Sequence, residues 1–66
     1  MNEDEFNERY AGWKYATHEE ALAEARRVNA EMPIGPNGAV VPIHYKGAFE
    51  IVFYDTARWM EEVELI

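Results

Sequence analysis

Residues 17–31 read THEEALAEARRVNAE, and this stretch decides the fold of the chain. Thr17, followed three residues later by Glu20, forms a capping box in which the threonine hydroxyl accepts a hydrogen bond from the Glu20 amide. Strong helix formers follow. The apolar side chains step by three and four residues along one helix face: Leu22, Ala25, Val28 and Met32. Because Pro33 disfavours helical geometry at the residue before it, the pattern predicts a helix over 18–31.

Residues 39–54, downstream of this helix, read as a β-hairpin. A loop rich in proline and glycine (33–38) separates the hairpin from the helix. Every second residue of the second strand is a large apolar residue: Phe49, Ile51 and Phe53. We expect these side chains to share one face of the hairpin with Val41 and Ile43 of the first strand. That pairing of odd residues requires a three-residue bulged loop over 45–47. We expect the helix to pack on this odd face. The opposite face, which we call the even face, is partly apolar and would be covered by the terminal segments or by a partner. It carries the even-numbered residues Val40, Pro42, His44, Glu50, Val52 and Tyr54.

The flanking segments give weaker signals. Large apolar residues alternate with other residues over 13–16, as in a short strand. We expect residues 1–10 to form a frayed or short helical lead-in. Residues 55–66 fit two patterns. One face of a helix capped at Asp55 or Thr56 would carry Trp59, Met60, Val63 and Ile66, whereas residues 62–65 alternate like a strand. Both patterns predict that Trp59 and Val63 are buried. We favour a turn at 55–57 followed by a third meander strand.

Together these patterns predict a single small α+β domain over residues 1–66. One helix, at about 18–31, packs on a small antiparallel sheet in the order β-α-β-β. A further C-terminal strand or helix completes the chain. An α+β architecture is typical when one amphipathic helix must bury its apolar face on a short antiparallel sheet.

Composition excludes several classes of protein. The 66 residues carry 13 Asp and Glu against 6 Lys and Arg, a net charge of −7, and no cysteine. The charge argues against direct nucleic-acid binding, and the missing cysteines argue against thiolate metal sites and disulfides. No segment approaches the roughly 20 apolar residues of a membrane helix. We therefore predict no cofactor, no metal and no membrane association, with a cytoplasmic location.

Catalytic chemistry has few candidates in this sequence. On the predicted hairpin, His44 lies diagonal to Glu50 with Tyr54 nearby, which could form an acid–base pair. A cross-strand surface pair is the commoner meaning of such a pattern. Because no set of nucleophile, base and orienting group is visible, we predict that the protein is not an enzyme and has no catalytic residues.

The negative charge is concentrated at the two ends of the chain. Residues 1–10 and residues 55–66 each carry a net charge of −3, whereas the middle carries −1. Chain ends of small domains often lie close together, so the two ends could form one acidic patch with embedded aromatic side chains. This predicts a partner-binding set: Glu3, Asp4, Phe6, Tyr10, Trp59, Glu61, Glu62 and Glu64.

Two resemblances accompany these patterns. Residues 17–25, THEEALAEA, resemble the strand-to-helix junction of small β-α-β-β modules that include HicB-type antitoxins. The long strands that precede this junction in HicB proteins are missing here. In size, acidity and lack of cysteine, the chain resembles very small phage proteins, among them anti-CRISPR and anti-restriction inhibitors. That second resemblance implies an inhibitor whose acidic side chains imitate a phosphate backbone.

The function predicted from the sequence is a non-enzymatic, acidic, protein-binding inhibitor or adaptor. Its partner would present a basic surface, such as the nucleic-acid groove of a host complex that an anti-CRISPR-like phage protein blocks. The alternative is an antitoxin-like or regulatory homodimer that associates through the even face of its sheet.

Overall fold

The computed structural model describes residues 1–66 as three helices and one two-stranded antiparallel sheet. In chain order the elements are α1 (Glu3–Tyr10), α2 (His18–Glu31), β1 (Val40–Tyr45), β2 (Ala48–Phe53) and α3 (Tyr54–Glu62). The predicted α+β class is confirmed, with two helices more than the single helix expected from the central stretch.

Helix α2 has the predicted bounds. The Thr17 hydroxyl accepts a hydrogen bond from the Glu20 amide at 3.2 Å, which satisfies one of the free N–H groups of the first turn. At the other end, Met32 is extended, with φ −129° and ψ 128°, as the following proline requires. Three residues of the predicted apolar stripe are buried, Ala25, Val28 and Met32, but Ala21 takes the place of Leu22, which is only half-buried.

The hairpin has a different register from the expected one. Its loop contains only Lys46 and Gly47, both at positive φ (51° and 81°), as a type I′ turn requires. The cross-strand partners therefore pair even with odd, and Ile43 lies opposite Glu50. The three-residue loop over 45–47 was wrong. Both faces of the hairpin carry apolar side chains, so hydrophobic parity does not select one register, and the turn does.

Both faces of the hairpin are covered by helices. One face packs against α1 and α2 through Val40, Ile51 and Phe53. The other face packs against Ala57 and Met60 of α3 through its own apolar side chains: Val41, Ile43, Tyr45 and Val52. The result is a three-layer arrangement with the two-stranded sheet in the middle. The even face expected from the sequence does not exist, because the observed register divides its residues between the two sides of the sheet, with Val40 packed in the core on the α2 side and Val52 packed against α3.

Residues 3–10 form a helix that contributes to the core. The Asn2 side chain caps α1 by accepting from the Glu5 amide at 2.9 Å. Phe6 is 4% exposed, and its ring centroid lies 4.8 Å from that of Phe53. A further link runs from the Asn37 amide, which donates to both carboxylate oxygens of Glu3. Helix α1 is therefore held at both its first turn and its centre.

Residues 54–62 form α3, so the favoured third strand over the C-terminal segment was wrong. Neither Asp55 nor Thr56 caps the helix, since no side chain makes the cap bond. Instead, the Tyr54 and Asp55 amides donate to the backbone carbonyls of Ala39 and Asn37, at 2.8 and 3.0 Å. These carbonyls belong to the loop before β1, and they satisfy the helix N–H groups across the fold.

Gly38 allows this close approach of the loop to α3. Its φ is +84°, and a Cβ at this position would lie 2.9 Å from the Cβ of Tyr54. A larger residue would therefore both strain the backbone and push the first turn of α3 away from the loop.

The two edges of the sheet are closed in different ways. On the β2 side, Tyr15 exchanges two backbone hydrogen bonds with Phe49, at 2.7 and 3.1 Å, so the expected strand over 13–16 is reduced to one bridge. On the β1 side, the Asn29 carboxamide bonds both the N–H and the C=O of Val40. Pro42, two residues further, has no N–H to offer. The first half of the β1 edge is therefore protected from pairing with another strand.

Candidate protein-binding surface

The structure distributes the eight predicted binding residues over different environments. Phe6 is a core residue and is not available to a partner, because a helix that carries one apolar side chain among acids buries it. Tyr10 is half-buried, and Glu3 is engaged by Asn37. Asp4 is exposed on α1. The remaining four residues are all exposed and belong to one continuous segment: Trp59, Glu61, Glu62 and Glu64.

The two acidic ends are carried by helices that pack on different faces of the hairpin. Helix α1 belongs to the core on the α2 side, through Phe6, whereas α3 belongs to the core on the other side, through Ala57 and Met60. No hydrogen bond or ion pair joins residues 1–10 to residues 55–66. We therefore restrict the candidate binding surface to the C-terminal segment, where four of the predicted residues lie together in the chain.

Exposed apolar side chains are concentrated in that segment. Of the seven large apolar residues that the structure leaves exposed, five lie between residues 54 and 66: Tyr54, Trp59, Val63, Leu65 and Ile66. Trp59 is 56% exposed, because it points away from the Ala57 and Met60 face of α3. Val63 follows four residues later on the same side. We refer to residues 59–66 as the C-terminal surface.

A reverse turn after α3 shapes the C-terminal surface. The Leu65 amide donates to the Met60 carbonyl at 2.8 Å and the Glu64 amide donates to the Glu61 carbonyl at 3.1 Å, which is the Schellman pattern. Glu64 adopts φ 61°, in the left-handed region where glycine is usual. The turn brings Ile66 alongside β1. There it helps line a groove with residues of β1 and α3: Val41, Pro42, Ile43, His44, Tyr54, Ala57, Arg58 and Glu61.

This turn gives a first testable prediction. Replacing Glu64 with glycine is expected to raise the free energy of unfolding by about 0.5–1 kcal/mol. A residue with a Cβ pays about 1–2 kcal/mol to adopt the left-handed conformation, and glycine avoids this cost. Part of the gain is lost because glycine gives up more conformational entropy on folding. Urea denaturation monitored by circular dichroism measures the difference. Glu64→Ala is the matched control, since it removes the same charge but keeps the strain. A gain of equal size in both variants would mean that charge relief, and not backbone strain, explains the effect.

The carboxylates of the C-terminal surface are not neutralised within the fold. Residues 55–66 carry Asp55, Glu61, Glu62 and Glu64 against Arg58, a net charge of −3. None of them takes part in an ion pair, whereas Glu24, Glu31 and Glu50 all pair with a cation. The acidic groups around Trp59 therefore remain hydrated and free to meet positive charge on another molecule.

Trp13 occupies a second exposed aromatic region, which the sequence did not single out. It is 58% exposed and lies in a groove beside a network in which the Tyr10 hydroxyl, the Glu24 carboxylate and the Arg27 guanidinium bond one another. The bond from Arg27 lowers the pKa of the Glu24 carboxyl. Burial, followed by the bond to Glu24, raises the pKa of the Tyr10 hydroxyl. A sequence signal did exist, in the spacing of three aromatics over residues 10–15.

The acid–base pair considered from the sequence does not form. His44 pairs with Phe49, and the two rings stack with centroids 4.6 Å apart. Glu50 lies on the other face of the sheet, because neighbouring residues of a strand alternate between faces. Its carboxylate instead accepts from the Lys14 ammonium at 3.0 Å. The two-residue turn is the cause, since it shifts the register on which the His44 and Glu50 diagonal depended.

Comparison with known protein families, with characterised proteins and with solved structures finds no match to this chain. None of the three helices has the length and apolar character needed to cross a membrane.

Proposed function

We propose that the chain is a non-enzymatic inhibitor or adaptor that binds a partner protein with a basic surface through its C-terminal surface. One observation carries the proposal: Trp59 and Val63, one helical turn apart, are both exposed among carboxylates that have no ion-pair partner within the fold. Solvent-exposed apolar clusters of this kind are typical of interaction sites.

The two kinds of side chain contribute differently to such binding. Trp59 supplies a large apolar area together with an indole N–H, which is why tryptophan is frequent among the residues that dominate interface energies. The carboxylates of Glu61, Glu62 and Glu64 accelerate association with a basic surface and reject acidic ones. In the most concrete form of the proposal, the basic surface is a nucleic-acid groove of a larger complex in the cytoplasm, blocked in the manner of anti-CRISPR proteins.

The antitoxin-like dimer depended on an even sheet face, and the residues of that face are divided between the α2 side and the α3 side of the sheet. A dimer formed through α3 itself would bring two segments of net charge −3 together. That repulsion favours a basic partner over a second copy of the chain.

A photo-crosslinking amino acid at position 59, introduced in cells of the source organism, tests the proposal. We expect a covalent adduct with a protein that presents a basic surface, and no such adduct when the same group replaces Glu19, an exposed residue of α2. An adduct formed only with a second copy of the chain would contradict the proposal.

Charge reversal then tests the surface with the purified partner. We expect Glu61→Lys with Glu62→Lys to weaken binding at least tenfold at low salt and to reduce its salt dependence. We expect Trp59→Ala to weaken it about 30-fold, equivalent to about 2 kcal/mol. Glu19→Lys with Glu20→Lys makes the same change in net charge on α2 and should leave the affinity unchanged. Equal losses from both charge reversals would show that only net charge matters.

A further inference from the structure

The outer edge of β1, which faces away from β2, is open over its second half. Asn29 bonds both the N–H and the C=O of Val40, so these two groups point away from β2. Because the backbone groups of every second residue in a strand point to the same edge, those of Pro42 and His44 also point outward. No hydrogen bond outside the hairpin ladder involves either residue. The open edge therefore offers the His44 N–H, the His44 C=O and the Pro42 C=O.

A groove of about 400 Å³ runs along this open edge, between β1 and α3, and we call it the edge groove. Four consecutive residues of β1, 41–44, line it. Since neighbouring side chains of a strand point to opposite faces, a groove that meets all four includes the backbone edge. Its wall also carries two exposed rings or chains, Tyr54 at 51% and Ile66 at 41%. The edge groove thus places unpaired backbone groups beside an accessible apolar wall.

A second copy of the chain fits this edge poorly. Antiparallel pairing of two β1 strands about Ile43 would place each His44 opposite Pro42 of the other copy, and proline has no N–H for the His44 C=O. Pairing about His44 would place Pro42 opposite Lys46, a turn residue at φ 51°. Either arrangement would also bring together two chains of net charge −7. The edge is therefore better suited to a strand from a different protein.

We propose that the partner of the C-terminal surface lays an extended segment along the edge groove and adds a strand to β1. Strand addition to an open sheet edge is a recurrent mode of peptide recognition. Two N–H groups of the segment would donate to the carbonyls of Pro42 and His44, and one of its carbonyls would accept from the His44 N–H. Side chains at alternate positions would pack on Tyr54 and Ile66. Such binding rests on the proposed function, because the edge groove joins the C-terminal surface at Ile66.

The distribution of charge specifies the side chains of this segment. Within the edge groove, one cation and one anion balance each other, Arg58 and Glu61, which suits apolar side chains at the centre of the segment. Beyond the groove, the carboxylates of Glu62 and Glu64 have no ion-pair partner within the fold. They favour lysine or arginine at the ends of the segment. The expected ligand is therefore an alternating apolar run flanked by basic residues.

Nitrogen-15 NMR titration of the full chain with the peptide Lys-Lys-Val-Thr-Val-Thr-Val-Lys-Lys tests the inference. We expect a saturable shift of the His44 amide signal. At saturation, hydrogen exchange of that amide should slow at least tenfold, because it gains an acceptor that it lacks in the free chain. The same peptide with its five central amides N-methylated keeps the charges and side chains but cannot donate. We expect it to bind at least tenfold more weakly.

A substitution at position 44 tests the same bonds from the other side. His44→Pro removes the only N–H group of the open edge, and we expect it to weaken peptide binding about tenfold in calorimetry, equivalent to about 1.4 kcal/mol. His44→Ala is the matched control, because it deletes the imidazole and keeps the N–H. Its affinity should stay within about twofold of that of the unmodified chain. Circular dichroism of both variants verifies that they fold, and the N-methylated peptide decides the matter if His44→Pro does not.

Three results would overturn the inference. One is unchanged exchange of the His44 amide at millimolar peptide, and the second is equal affinity for the N-methylated peptide. The third is protection of this amide without peptide that rises with protein concentration, which would assign the edge to a second copy. Shifts confined to Trp59 and its acidic neighbours would mean that the proposed function holds without strand addition. Protection of His44 by the peptide, with no crosslink from position 59 to a basic protein, would contradict the proposed function alone.

Discussion

Replacing Phe6 with alanine is expected to lower the free energy of unfolding by about 3–5 kcal/mol, the usual cost of deleting a buried phenylalanine ring. Phe6 is 4% exposed and packs on Phe53 and on the same core as Val28 and Val40. A domain of 66 residues has a total stability of only roughly 3–10 kcal/mol. The variant should therefore be largely unfolded at 37 °C or shifted to a much lower urea midpoint.

Trp59→Ala is the matched control, because it deletes a larger ring at a site that is 56% exposed. We expect its stability to lie within about 0.5 kcal/mol of that of the unmodified chain. Urea denaturation of both variants, followed by circular dichroism, makes the comparison. A Phe6→Ala variant as stable as the parent would mean that residues 1–10 are frayed, which is one of the two states expected from the sequence, and that the core does not need α1.

Replacing Asn29 with alanine is the second large effect, with an expected loss of about 2–6 kcal/mol in the free energy of unfolding, since two polar groups lose their partners at about 1–3 kcal/mol each. The Asn29 side chain accepts from the Val40 N–H at 2.8 Å and donates to the Val40 C=O at 2.9 Å. Val40 is 2% exposed, so water cannot readily replace these bonds. The substitution also opens the β1 edge to pairing with other chains.

Asn7→Ala provides the control for this second prediction, because Asn7 is an exposed helical asparagine and its side chain makes no hydrogen bond. We expect it to be nearly neutral. Hydrogen exchange of the Val40 amide separates local opening of the β1 edge from loss of global stability. In the Asn29→Ala variant, the protection of this amide should fall by more than the loss of global stability accounts for. An Asn29→Ala variant with a normally protected Val40 amide would show that the carboxamide does not hold the edge.

Local signals were sufficient for α2 and for the loop that follows it. Capping by Thr17, the helix-forming run and the stop at Pro33 all act between residues a few positions apart, so the bounds His18–Glu31 could be predicted. The exposure of Trp59 and Val63 was predicted wrongly, because both the helix and the strand interpretation of residues 55–66 buried them, whereas they are 56% and 47% exposed.

The register of the hairpin and the state of the C-terminal segment could not be predicted in the same way. One face of the hairpin carries Val41, Ile43 and Val52, and the other carries the equally apolar Val40, Ile51 and Phe53. Alternation could not identify a buried face, because both faces are buried. The turn residues carry the signal for the register, because Lys46 and Gly47 make a two-residue loop whose geometry matches the twist of the strands.

By itself the sequence determined the α+β class, the central helix, the presence of a hairpin and the surplus of negative charge at both ends. These depend on composition and on short-range periodicity. Only the tertiary structure decided that Phe6 belongs to the core, that α3 is a helix lying on the second sheet face, and that Tyr10, Trp13 and Tyr15 line one groove with Arg27. The physical reason is that these outcomes depend on partners distant in the chain. The carbonyls that cap α3 come from residues 37 and 39, and the ring that buries Phe6 comes from residue 53.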